Sequence, residues 1–124
     1  VTSFKKENSI NWIGTDIGMN VLVRPSMYDA YHRIEIISSN KDIISANICG
    51  NICESCDVLG RDRSVLRPNI GDIVKVYDAG AYGFSMCSNY TGRLRPCEVL
   101  IKDNKDILIR KRDTLEDILN KYVY

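Results

Sequence analysis

The 124-residue sequence predicts one mainly β domain spanning residues 1–124, an antiparallel sandwich or barrel with a few short helices. Three observations carry this expectation. Alternating or β-branched-rich segments recur at residues 32–38, 43–49, 72–78, 97–102 and 106–112. Polar turns, Asn40-Lys41-Asp42 and Asp103-Asn104-Lys105, separate successive pairs of them. Helical periodicity is confined to short stretches.

Taken in order, residues 11–18 mix Trp12, Ile13 and Thr15 and stop at Gly18, which reads as a strand entering a turn. Arg24-Pro25 opens one or two helical turns through Tyr31, because proline suits a first turn and Met27, Ala30 and Tyr31 share a face. Residues 32–38 and 43–49 read as a hairpin. Residues 50–69, with Gly60, Pro68 and the string Arg61-Asp62-Arg63, read as a long functional loop. Residues 72–78 form a strand, and Gly80 and Gly83 bracket Ala81-Tyr82 at a sharp change of direction. A short helical stretch follows from Phe84 toward Asn89. Residues 97–102 and 106–112 make a second hairpin, and residues 114–122 an amphipathic helix with Asp113 and Glu116 in a capping arrangement.

Composition narrows the function. Apolar residues are 44% and charged residues 27%, with a net charge of +1, so there is no basic excess for nucleic acid or a membrane surface. No apolar run approaches a membrane span and no signal-peptide pattern is visible. Cys49, Cys53, Cys56, Cys87 and Cys97 read as reduced thiols in a cytoplasmic protein. The chain opens at Val1, in what reads as mid-strand, and this suggests a piece of something longer. Cys53-x-x-Cys56 has zinc-ligand spacing, but without a second such pair or an HxxxH a metal site is not expected.

Regularity fails around Arg24, Cys53 and Tyr82, where functional sites are expected. Each of these residues has an ordinary reading: a surface arginine, a small buried hydrophobe, a tyrosine packed at a strand end. The surrounding motifs go further. Arg24-Pro25-Ser26-Met27-Tyr28-Asp29-Ala30-Tyr31-His32 resembles the RPxxYxAYH segment of diaminopimelate decarboxylases. Cys53-Glu54-Ser55-Cys56-Asp57, followed by Val58-Leu59-Gly60-Arg61-Asp62-Arg63, resembles their CESGD motif and its sequel. Asp78-Ala79-Gly80-Ala81-Tyr82-Gly83 with Ser88-Asn89-Tyr90 resembles their DAGAYG…SNYN stretch, and Arg110-Lys111-Arg112-Asp113-Thr114 their closing basic segment. The order and spacing agree over nearly the whole chain.

The resemblance implies the C-terminal β domain of a homodimeric pyridoxal 5′-phosphate (PLP) decarboxylase, whose N-terminal (β/α)8 barrel holds most of the cofactor and its lysine. It implies conversion of meso-2,6-diaminopimelate to L-lysine and carbon dioxide by the full-length protein, and no activity from this domain alone. By the same resemblance Cys53 is the proton donor reaching into the partner subunit's site, and a thiol suits that task. Glu54 pairs with the distal ammonium of the substrate. Arg24 grips the distal carboxylate with its planar fork, and Tyr28 adds a hydroxyl. Tyr82 touches both cofactor and substrate. His32, the one histidine, reads as a hydrogen-bonded structural residue. Two alternatives stand beside this reading: the same chemistry on a carrier-protein-bound glutamyl group, ornithine or arginine, and a stand-alone interaction domain. Cys56 stands where the family motif has glycine, Asn51 where proline is usual, and Val21, Thr91 and Leu94 also depart from the pattern.

Overall fold

The computed structural model describes residues 1–123. Its elements run β1 (Ser3–Glu7), β2 (Ile10–Gly14), α1 (Arg24–Tyr28), β3 (Ile34–Ile37), β4 (Ile43–Cys49), β5 (Val58–Leu66), β6 (Ile73–Val76), α2 (Gly80–Gly83), a 3-10 turn at Tyr90–Gly92, β7 (Glu98–Lys102), β8 (Lys105–Arg110) and α3 (Leu115–Leu119). A four-stranded sheet has the order β1-β2-β4-β5, and β3-β6 and β7-β8 form two-stranded ribbons. The sheets stay open rather than closing into a barrel. Pairing is antiparallel except between β2 and β4, which run parallel.

The core lies where the four-stranded sheet meets the β3-β6 ribbon. Ile13 of β2, Ala46 and Ile48 of β4, Leu59 and Val65 of β5, and Ile34 and Ile36 of β3 are buried together with Leu22, and Val74 and Val76 of β6 pack against them. The period-2 pattern of β3 is literal: Ile34 and Ile36 face in, Glu35 and Ile37 face out. Two tight hairpins connect β1 to β2 through Asn8 and Ser9 and β7 to β8 through Asp103 and Asn104. All four of these turn residues have positive φ, as two-residue loops of this hand require.

Three sequence expectations change. Residues 32–38 and 43–49 do not form a hairpin: β3 pairs with β6, and β4 lies between β2 and β5. Ser38 Oγ and Asn40 Nδ2 both donate to the carbonyl of Arg67, so the polar turn crosses between sheets instead of folding β4 back on β3. A turn signal shows where the chain reverses, not which sheet each strand joins. Residues 50–69 are not one long loop, because β5 at nine residues is the longest strand. Its charged string escaped notice as strand because β5 is an edge, where exposed charge is the rule. Asp62, at φ 50°, bulges it, and its N–H is taken up by Oδ1 of buried Asn47.

The third change concerns the helices. Gly80 and Gly83 lie inside α2, and the left-handed residue at this bend is Asp78 (φ 57°). The helical stretch expected from Phe84 is replaced by turns and the 3-10 turn at Tyr90–Gly92. At α3 the cap is Thr114, whose hydroxyl accepts from the N–H of Asp117 while the Asp117 carboxylate accepts from the N–H of Thr114. Asp113 instead pairs with Arg95.

Candidate functional site

The three irregular segments of the sequence converge. Ser26 of α1 donates its hydroxyl to the carbonyl of Cys56 at 2.6 Å. The N–H of Ser88 donates to the carbonyl of Asn20, just upstream of α1. Arg93, after the 3-10 turn, donates to the carbonyl of Asn51 at 2.8 Å. Residues 20–28, 50–57 and 82–93 therefore form one connected surface.

Asp57 organises the middle segment. Its side chain is buried, one carboxyl oxygen accepting from the N–H of Met19 (2.6 Å) and the other from the N–H of Ile52 (2.8 Å). A Cβ on Gly18 would lie 2.5 Å from this carboxyl, and one on Gly50 2.3 Å from it, so both neighbours are glycines for lack of room. The tip is closed by the N–H of Asp57 donating to the carbonyl of Glu54, and β4 and β5 pair at Cys49 and Val58 just beneath. Cys53, Glu54 and Cys56 are exposed on this anchored tip. Asp57 belongs to the matched motif, but its role was not read from the sequence. Gly18 and Gly50, spaced around a carboxylate that must be buried, are the signal that could have revealed it.

Glu54 accepts a short hydrogen bond from the hydroxyl of Tyr90, and this bond pushes the Tyr90 phenol above the ordinary tyrosine range. Tyr90 is a second contributor that residue-by-residue reasoning missed. On the other side, the Arg24 guanidinium stacks 4.2 Å from the centre of the Tyr82 ring. Its Nη1 lies 3.4 Å from Nε2 of buried His32, whose Nδ1 lies 2.9 Å from the carbonyl of Tyr77. A carbonyl only accepts, so the tautomer with the proton on Nδ1 satisfies both contacts and leaves Nε2 to accept from Arg24. His32 thus anchors Arg24.

The structure brings Arg24 and Tyr82 into direct contact and links Cys53 and Glu54 on one tip. Tyr28 stands apart. It is 60% exposed, hydrogen-bonds to neither pair among the described residues, and lines an open groove of about 680 Å³ with Cys56 and Arg61. The other thiols differ in kind. Cys49 donates to the carbonyl of Ile13, and burial, followed by the nearby Asp57, pushes it up from the ordinary thiol range; burial does the same to Cys87.

A family model described as pyridoxal-dependent decarboxylase, C-terminal sheet domain, matches residues 1–80. The chain is 42% identical over 98% of its length to a diaminopimelate decarboxylase of Methanocaldococcus jannaschii, and 50% identical over 86% of its length to one of Neisseria meningitidis serogroup B. It spans 28% and 26% of those relatives. The solved M. jannaschii diaminopimelate decarboxylase superposes on the whole chain, which covers 29% of it, with a TM-score of 0.95 and 40% identity. The same enzyme in complex with L-lysine superposes with a TM-score of 0.93. With the fold, the motifs and the match to residues 1–80 agreeing, the chain belongs to the pyridoxal-dependent decarboxylases, as their C-terminal sheet domain.

Proposed function

We propose that this domain completes the active site of a PLP-dependent decarboxylase that converts meso-2,6-diaminopimelate to L-lysine and carbon dioxide. The observation that carries the reading is the pair of supported charges on one surface. Arg24 is steadied by Tyr82 and His32, and Glu54 is steadied by Tyr90. The far end of diaminopimelate bears a carboxylate and an ammonium, which a guanidinium and a carboxylate complement. The relatives' names and the lysine complex of one of them support the same substrate.

The fit to PLP is that of one wall. Tyr82 is 44% exposed and its ring is steadied by Arg24, so its hydroxyl can meet a cofactor phosphate or the substrate. PLP, when bound, supplies an electron sink for the pair left behind as carbon dioxide departs. This chain's residues do the rest of what is proposed for them: Arg24 and Glu54 orient the far end, Tyr28 adds a hydroxyl at the rim, and Cys53 delivers a proton to Cα. Cys53 suits delivery because it is exposed at the tip of an anchored loop, where it can reach into a neighbouring subunit. The barrel that would hold the cofactor, the homodimer and the cytoplasmic setting belong to the same proposal.

The test is carbon dioxide release from meso-diaminopimelate by the full-length protein. Glu54→Gln should lower kcat/KM by about 100-fold or more, because the distal ammonium loses its charged partner. Unchanged kcat/KM in that variant would refute diaminopimelate as the substrate. The 124-residue domain alone should release none.

A further inference from the structure

We propose that Cys53 and Cys56 form a reversible disulfide within the tip, a redox lock on the thiol assigned above as proton donor; the locking consequence rests on that assignment. Both thiols are free and exposed, and they flank Glu54-Ser55. The geometry of the tip brings the two arms that carry them together. The Ile52 N–H is held by the Asp57 carboxyl and the Gly50 N–H by the Asp57 carbonyl, so the loop is closed at residues 52 and 57. Cys53 and Cys56 are the next residues inside that closure, one from each arm. The Asp57 N–H donates to the Glu54 carbonyl, so the chain reverses over Glu54–Asp57, with Cys56 inside that turn and Cys53 immediately before it; the bond requires their Cα atoms to come within the roughly 4.4–6.8 Å that a disulfide spans. Both thiols also lie within electrostatic reach of the same Tyr90 hydroxyl. The Cys56 sulfur rests 3.7 Å from the Met19 sulfur at an exposed position, from which a side-chain rotation frees it. Cys49 is not a competitor, since its thiol points to the Ile13 carbonyl.

The oxidant is a low-molecular-weight disulfide, RSSR, of the oxidised glutathione class. The Cys53 thiolate attacks one sulfur of RSSR; the S–S bond breaks, a mixed disulfide forms, and RS⁻ leaves to take up a proton as RSH. The Cys56 thiolate then attacks the Cys53 sulfur and expels a second RSH. The two protein thiols lose two protons and two electrons, and RSSR becomes two RSH. The Cys53 thiol no longer carries a transferable proton, and a reducing dithiol reverses both steps. In a reducing compartment the lock would engage only under oxidative load.

The experiment incubates the full-length enzyme with oxidised glutathione and maps its peptides without reduction. The wild-type peptide carrying residues 53–56 should be lighter by two hydrogens and resist alkylation until dithiothreitol is added. Decarboxylation should fall by about tenfold or more, as expected when a general acid is lost, and return on reduction. Cys56→Ser should keep basal activity in the reduced state and form no internal link, its Cys53 instead accumulating the unresolved glutathione adduct, visible by mass. Cys53→Ser should also form no internal link. Cys53 and Cys56 both alkylatable in oxidised wild type, a link from either to Cys49, Cys87 or Cys97 instead, or a formed link with unchanged activity would each overturn the proposal. If reduced wild type shows no decarboxylation while the internal link forms, the functional assignment fails and the disulfide stands.

Discussion

The Arg24 guanidinium lies over the ring of Tyr82, 4.2 Å from its centre, while its Nη1 reaches Nε2 of His32. An arginine held on two sides would meet the proposed substrate already aimed, its ordering entropy having been lost largely in folding. The buried imidazole, tied to Tyr77 on its far nitrogen, is what makes the aim rigid.

His32→Leu should therefore raise KM for the substrate more than it lowers kcat, by about tenfold, as expected when a charge-assisted contact is loosened. Glutamine, which can offer a carbonyl to Arg24, should recover part of the loss. Steady-state kinetics of the full-length enzyme distinguishes the two variants, and equal KM in His32→Leu would show that Tyr82 alone suffices.

Asp57→Ala should destabilise the domain by about 2–5 kcal/mol, because it strands two backbone N–H groups in a buried site. Asp57→Asn should also destabilise, since its NH2 must face an N–H donor. Urea unfolding measures both. Gly50→Ala should be comparably harmful, because its Cβ would fall 2.3 Å from the Cα of Gly18 as well as against the Asp57 carboxyl.

Tyr90 should be late to titrate. Its hydrogen bond to Glu54, with the charge of Glu54 adding to it, raises the phenol above the ordinary tyrosine range. A raised folded value means that the contact is fully present below the unfolded tyrosine value, about 10, and is lost only as pH rises through the higher folded one. Tyrosinate absorbance should show a late step that Tyr90→Phe abolishes and Glu54→Gln shifts down. At neutral pH Tyr90→Phe should raise KM with a smaller effect on kcat.

Asp113 should mark the acid limit of the C-terminal hairpin. The hydrogen-bonded Arg95 guanidinium, then Asn89, hold its carboxyl well below the usual carboxylate range. A depressed folded value gives stability that is present above the unfolded value, about 3.9, and disappears as pH falls through the folded one. Asp113→Asn should lower the urea midpoint at pH 7, and the gap from wild type should narrow below about pH 4.

Much of this domain was legible in its residues because the relevant interactions are local. The β7-β8 hairpin follows from Asp103-Asn104 between apolar runs, α1 from Arg24-Pro25, and the in-out pattern of β3 from its own alternation. The motifs marked Arg24, Tyr28, Cys53, Glu54 and Tyr82 because those positions match the segments that carry the resemblance. Sheet membership was different. Pairing β3 with β6 and setting β4 parallel beside β2 depends on which distant strands bury Ile34, Ile36 and Ile48 together, and no local signal encodes that. The charged string of β5 hid a strand for the same reason, since edge position is a property of the sheet. Tertiary structure alone also decided that Asp57 holds the tip, that His32 anchors Arg24 and that Tyr90 serves Glu54. Each is a polar contact between residues far apart in the chain, and only packing determines which polar group finds which partner.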